Sequence, residues 1–165
     1  MTLAILPIQP AHIEGYRACL DAVAHEHAHL AMAAAPPLER LRAVVLDAIA
    51  NGHPHLVALD DGRVVGWCDV TPRERRTPRD CGILGMGVLA PWRGKGHGWR
   101  MIRATIDGAR AAGFRRVELT VHTSNVAAIG LYAKVGFTDT MSGRGDCPNP
   151  ADAFRILAMS LDPAP

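Results

Sequence analysis

No stretch of this 165-residue chain approaches the ~18 uninterrupted apolar residues of a membrane span, so no membrane partner is expected. The opening MTLAILPIQP lacks the basic segment and cleavage site of a secretory leader, and the expected location is the cytoplasm. A net charge of +2 is too small to point to nucleic acid. The four cysteines (Cys19, Cys68, Cys81 and Cys147) form no CxxC pair, which argues against a disulfide framework or a zinc site. Repeats, low-complexity tracts and linkers are also missing, so residues 1–165 are expected to form one domain. What is present, 48% apolar and 21% charged residues, is the composition of a soluble globular protein.

Periodicity supplies the elements. Residues 5–8 are strand-like, and a helical run opening at Pro10 carries Ile13, Tyr16, Leu20 and Val23 on one face. After AMAAAPP (31–37), a second helix carries Leu38, Leu41, Val45 and Ile49, and Asn51-Gly52 ends it. His55–Leu59 and Arg63–Val70 form a hairpin about Asp60-Asp61-Gly62. An arginine-rich loop (71–80, with Arg73, Arg75, Arg76 and Arg79) precedes a strand over Ile83–Leu89. A helix then runs to Ala112, followed by a strand over Val117–Val121 and a helix capped at Ser124-Asn125 and stopped by Gly136. Strands over 137–141 and 154–161 close the chain. The mixture predicts an α/β (α+β) sheet rather than a repeating βαβ array.

The stretch between strand and helix is Arg93-Gly94-Lys95-Gly96-His97-Gly98. A P-loop needs Ser or Thr after its lysine, and Gly96 stands there instead. A dinucleotide fingerprint fails as well, because Trp99 occupies the position of its third glycine. Gly85-Met86-Gly87-Val88-Leu89-Ala90 fits GxGxxA formally, but Pro91 follows where a helix should already run. What remains is a pyrophosphate cradle. Alternating glycines let consecutive N–H groups converge on an anion at a helix N-terminus, with side-chain charge from Arg93, Lys95 and His97.

These residues resemble the GNAT superfamily of acetyl-coenzyme A-dependent N-acetyltransferases. Arg93–Gly98 is similar to the family signature Gln/Arg-x-x-Gly-x-Gly/Ala, and VELTVHTSNVAAIGLYAKVGF (117–137) resembles its second cofactor segment. The two segments stand in the family's order within a core of about 83–137. The bacterial small-molecule or amino-acid branch is the nearest in character. The resemblance implies a mostly antiparallel sheet, flanked by helices, in which the fourth strand (83–89) splays from the fifth (117–121).

It implies acetyl-CoA as cosubstrate and no metal. The pyrophosphate would rest on Gly94–Gly98. The pantetheine arm would lie along Gly87, Val88 and Leu89, where the glycines would permit a bulge that opens the sheet. A backbone N–H near Val88 is the expected oxyanion donor, Tyr132 the general acid, and Asn125 a holder of the pantetheine end. Seven residues separate Asn125 from Tyr132, two helical turns, so they share a face about 10 Å apart.

No carboxylate lies within 83–88, where some family members carry a general base. Asp69 and His122 are the candidates, with a water relay as the alternative. Glu26 and Asp69 are candidates for contact with the amine. His25, His27 and His29 would form a metal pair only on a helix, and solvated histidines are the plainer account. The expected partner is a small-molecule amine, with a homodimer common in the family. Acetylation of a protein N-terminus or lysine, and a non-catalytic acyl-CoA sensor, are the alternatives.

Overall fold

The computed structural model describes residues 3–73, 79–140 and 153–161. In chain order the elements are β1 (Ala4–Pro7), α1 (Ile13–Ala24), α2 (Leu38–Ala50), β2 (His55–Asp60), β3 (Arg63–Pro72) and β4 (Gly82–Val88). There follow α3 (His97–Ala111), β5 (Arg116–His122), α4 (Val126–Val135), β6 (Thr138–Asp139) and β7 (Phe154–Ser160). Every expected helix and strand is present. The first helix starts at Ile13 because Pro10–His12 form a single 3-10 turn ahead of it. Among the described residues, no helix is long and apolar enough to cross a membrane.

The seven strands lie in one sheet in the order β1-β2-β3-β4-β5-β7-β6. All neighbours are antiparallel except β4 and β5, which are parallel and pair only at Gly82↔Val117 and Ile83↔Glu118. Beyond those two pairs the strands part. The sheet therefore opens between the C-terminal halves of β4 and β5, while β3 holds the other edge of β4 along its whole length.

The layers follow from close contacts. Tyr16 of α1 meets His55 edge-on at 4.8 Å and Trp67 at 5.8 Å between ring centroids. On the opposite face Met101 lies against Gly66, Phe114 against Gly82, and Thr105 of α3 donates to the Cys68 carbonyl at 3.4 Å. α4 packs beside α3, with Leu131 against Gly98. Ile13, Val45, Val57, Val65, Met101, Ile102 and Leu119 are fully buried at the centre of these layers.

The expected bulge at Gly85 and Gly87 is absent, since β3 and β4 pair in unbroken register from Gly66↔Val88 to Pro72↔Gly82. The glycines make room instead. A Cβ at Gly87 would stand 2.2 Å from the Trp67 ring, and one at Gly85 would stand 3.2 Å from an Asp69 carboxylate oxygen. The irregularity falls one strand earlier. Leu59 faces Val64 but Ala58 faces Gly66, so Val65 is an extra residue in β3.

That extra residue sets the faces. Val64 faces α1, where it meets Gly15, and simple alternation would send Trp67 and Asp69 to the α3 side. The bulge returns both to the α1 side. Gly87→Ala is expected to lower stability by about 1–3 kcal/mol, from overpacking against a rigid buried ring. Denaturant melts check this, and Trp67→Leu in the same chain should recover part of the loss.

Candidate active site

The loop after β4 is fixed at both ends. Trp92 donates its indole N–H to Asp60 at 2.9 Å, and Arg63 lies over its ring at 5.7 Å, so the β2–β3 turn anchors the loop. Gly94 (φ 72°) and Gly96 (φ 79°) adopt the left-handed backbone that α3 needs at its entrance. Among the described residues, the N–H groups of Gly94 to Gly98 donate to no backbone carbonyl. Five adjacent donors at the positive end of a fifteen-residue helix form an anion cradle.

The cradle is made of backbone alone. Arg93 donates Nε to the Val88 carbonyl at 2.7 Å and Nη2 to both oxygens of Glu26 at 2.8 Å. Lys95 Nζ donates to the Pro91 carbonyl at 2.8 Å. His97 is buried, with no partner at Nδ1 among the described residues. The three charges expected over the loop are thus turned elsewhere, because each long side chain finds a carbonyl, a carboxylate or the core within reach.

The open edge of β4 has its own polarity. Antiparallel ladders alternate residues that bond to their partner with residues that point away. Leu89 N–H donates to Val65 and Arg73 N–H to Cys81, which places Ile83, Gly85 and Gly87 among the residues bonded to β3. Met86 and Val88 therefore turn their backbone groups into the opening. Val88 N–H has no partner there among the described residues, and its carbonyl is held by Arg93. Leu89 does not share this role. Its N–H serves Val65 and its carbonyl accepts from Trp92, so nothing remains for a ligand strand. Gly87 is likewise turned towards β3.

Asp69 and Tyr132 flank the opening on opposite faces. Asp69 leans over Gly85 on the α1 side, beside Trp67 and opposite His55. Its carboxyl, half-buried and without a hydrogen-bond partner among the described residues, is raised by burial to about 7. His55, its cross-strand neighbour, is lowered by burial to about 4, and its Nε2 has no partner. Burial raises the Tyr16 phenol as well, with the charge of Asp69 as a second cause.

On the α3 side, Tyr132 of α4 is buried near Cys68 and edge-on to Phe137 at 5.9 Å. Burial raises its phenol well above the usual range, so it stays protonated at neutral pH. Asn125 accepts from Ala128 N–H at 3.2 Å and caps α4, and its amide N–H groups have no partner among the described residues.

Other candidates are placed differently. His122 ends β5 opposite Phe154, on the arm of the sheet that has parted from β4. Glu26 is paired with Arg93 rather than presented to an amine. α1 ends at Ala24 and His27 has φ 50°, so His25 and His29 do not share a helical face. Cys68 is buried, with its thiol raised by burial, and Cys19 is pushed up to about 12 for the same reason. Neither is an activated nucleophile. Arg73 pairs with Glu118, and Arg79 donates to the Ala112 carbonyl. Arg75, Arg76 and Cys147 lie outside the described residues.

With this geometry in hand, the comparisons are decisive on family. The profile of the acetyltransferase (GNAT) family matches residues 19–137. The chain belongs to the GNAT acetyltransferase family. Among its relatives, the N-alpha-acetyltransferase RimI of Mycobacterium tuberculosis is 33% identical over 118 residues, 70% of this chain and 73% of that protein. The L-methionine sulfoximine/L-methionine sulfone acetyltransferase of Pseudomonas aeruginosa is 36% identical over 125 residues, 68% of each chain. The Bacillus subtilis protein YycN, described as an uncharacterized N-acetyltransferase, is 31% identical over 90 residues, and the match spans 58% of its length. The acetyltransferase yncA of Salmonella typhimurium, solved with acetyl-CoA, shares the fold with a TM-score of 0.87 at 20% identity, covering 100% of this chain and 97% of that one.

The GNAT motifs were legible in the sequence, whereas the meeting of Tyr16, His55 and Trp67 with Asp69 was not, because the bulge decides the face of Trp67 and Asp69. A stability prediction follows from Asp69. Its carboxyl moves from an ordinary 3.8 to about 7 on folding, so in that window the folded chain keeps a proton the unfolded chain has lost. Stability contributed at this residue therefore falls as pH rises from about 4 to about 7. Asp69→Asn should melt higher than the parent by a margin that grows across that range. A margin that does not change with pH contradicts the placement.

Proposed function

We propose that the protein transfers the acetyl group of acetyl-CoA to a primary amine of a small molecule, with both bound at once. The observation that carries this is the opening between β4 and β5. It has free backbone N–H groups on one wall, an unpartnered carboxyl on one face and a protonated phenol on the other. The cradle at Gly94–Gly98 fits a pyrophosphate, since its five adjacent N–H donors lie at the positive end of α3 and no Cβ crowds Gly94 or Gly96. Met86 would bond an amide of the pantetheine arm, and the amide N–H groups of Asn125 would hold its end. Val88, whose carbonyl is taken by Arg93, keeps its one N–H for the thioester.

Acetyl-CoA supplies an acyl group activated as a thioester. Val88 N–H would face the carbonyl oxygen on which negative charge develops. Asp69 receives the proton that the amine nitrogen gives up as its bond to the acyl carbon forms. A carboxyl near 7 is matched to that task, because it ionises close to neutrality. Tyr132 donates its phenolic proton to sulfur as the carbon–sulfur bond breaks. His122 is not needed for either transfer.

A small acceptor is favoured by the way the segment after α1 folds back. Arg17 donates to the Pro36 carbonyl at 2.9 Å and Ala35 N–H to Asp21 at 2.8 Å, so the segment is tied back to α1, and we read it as a cover for the acceptor side. The sulfoximine-acetylating relative supports the same reading. The RimI relative favours a second one, acetylation of a protein N-terminus. A thiol-release assay over amino acids, amines and N-terminal peptides separates the two. Small amines should turn over at micromolar enzyme, and turnover of peptides alone would overturn the first reading.

Gly96→Ala is expected to weaken acetyl-CoA binding about tenfold by calorimetry, from the cost of a left-handed non-glycine residue. kcat/KM should rise with pH and level off above about 7, and Asp69→Asn should remove that limb. Tyr132→Phe should lower kcat by about a hundredfold with acetyl-CoA affinity retained.

A further inference from the structure

The Glu26–Arg93–Val88 chain of contacts has no role in the reading above. Glu26 lies in the turn that ends α1, on the acceptor side, and Arg93 opens the cofactor loop. The two are 67 residues apart in sequence, yet both Glu26 oxygens accept from one guanidinium nitrogen at 2.8 Å. Side-chain exposure is 44% for Arg93 and 32% for Glu26, so the pair is partly shielded from water. The same guanidinium donates Nε to the Val88 carbonyl at 2.7 Å.

That last bond falls where the sheet offers none. Val88 is the last residue of β4, and its carbonyl points into the opening, where β5 has already parted from β4. In extended backbone the N–H and C=O of one residue point to the same side. Val88 N–H lies in the peptide plane it shares with the carbonyl of Gly87, the β3-bonded residue. A donor that also fixes the plane of the Val88 carbonyl therefore restricts the rotation left at Val88, and with it the direction of its N–H. Without Arg93 this strand end would be held by β3 alone. Without Glu26, the guanidinium would lose the contact that keeps its plane in place, and an exposed arginine has many rotamers to explore.

We propose that Glu26 is a positioning residue which, through Arg93, holds the Val88 N–H in the direction that acyl transfer requires. It acts on the reaction from the acceptor side without contacting the amine. The catalytic half of this inference rests on the reading of Val88 as the oxyanion donor. The structural half, that the ion pair orients Val88, does not.

The test uses the full chain and two kinds of readout. In Glu26→Gln, the Val88 amide resonance should shift and its hydrogen exchange should quicken, with Arg93→Lys giving the same change and the double variant no more. kcat should fall about tenfold, a fraction of the loss of a whole oxyanion donor. KM for the amine and the calorimetric Kd of acetyl-CoA should stay within about twofold, and Glu26→Asp should recover part of kcat. A Val88 amide that is unmoved in Glu26→Gln overturns the proposal whatever the rates. A raised KM for the amine with kcat unchanged also overturns it and makes Glu26 a substrate contact. A perturbed Val88 amide with kcat and KM both unchanged supports the orienting strap and removes Val88 from the reaction, so the two failures are told apart.

Discussion

One strand with a partner along only one edge sets the terms for the rest of the site. β4 is bonded to β3 from Gly82 to Val88, while β5 leaves it after Ile83. Backbone groups in the middle of a sheet cannot go unsatisfied without cost, so an edge left open inside a fold is a place built for a ligand. The groups on that edge belong to Met86 and Val88. An extended chain of amides is the kind of ligand that such an edge accepts, and the glycine cradle lies at the end of the same strand.

The irregular step in β3 decides which of its side chains face the opening from the α1 side. Val65 is one residue too many for the ladder, and every residue after it changes face. Asp69 and Trp67 thereby reach the α1 side, while Cys68 is turned to the α3 side, near Tyr132 of α4. Gly85 and Gly87 complete the arrangement, since any side chain there would occupy the space of the carboxylate or the indole. The Asp69 carboxyl is carried by β3 and laid over Gly85 of β4. Burial without a hydrogen-bond donor then does what no neighbouring charge does, and moves its ionisation to the working pH.

Much of this was open to inspection in the sequence. Helix periodicity, the Asp60-Asp61-Gly62 turn, the caps at Asn125 and Gly136 and the alternation over 117–121 are local signals, and the elements formed where those signals lay. The cofactor loop could be placed because glycine spacing reports backbone conformation directly. The surroundings of Asp69 could not. A hairpin without a bulge pairs His55 with Cys68, and only the extra residue brings His55 opposite Asp69. Nor did the sequence show that Arg93 and Lys95 turn away from the cradle, or that Leu89 has no backbone group to spare. Such facts depend on which acceptor lies within reach once the layers are packed, and composition carries no record of that.

The cradle, the open edge, Asp69 and Tyr132 come from separate elements, and what joins them is the proposed path of one extended ligand. Amide hydrogen exchange with and without acetyl-CoA tests that path most directly. Binding should protect the amides of Met86 and Val88 together with those of Gly94 to Gly98, and should leave Gly85 and Gly87, already bonded to β3, unchanged. Protection that is absent from Met86 and Val88 while acetyl-CoA is bound would contradict the account.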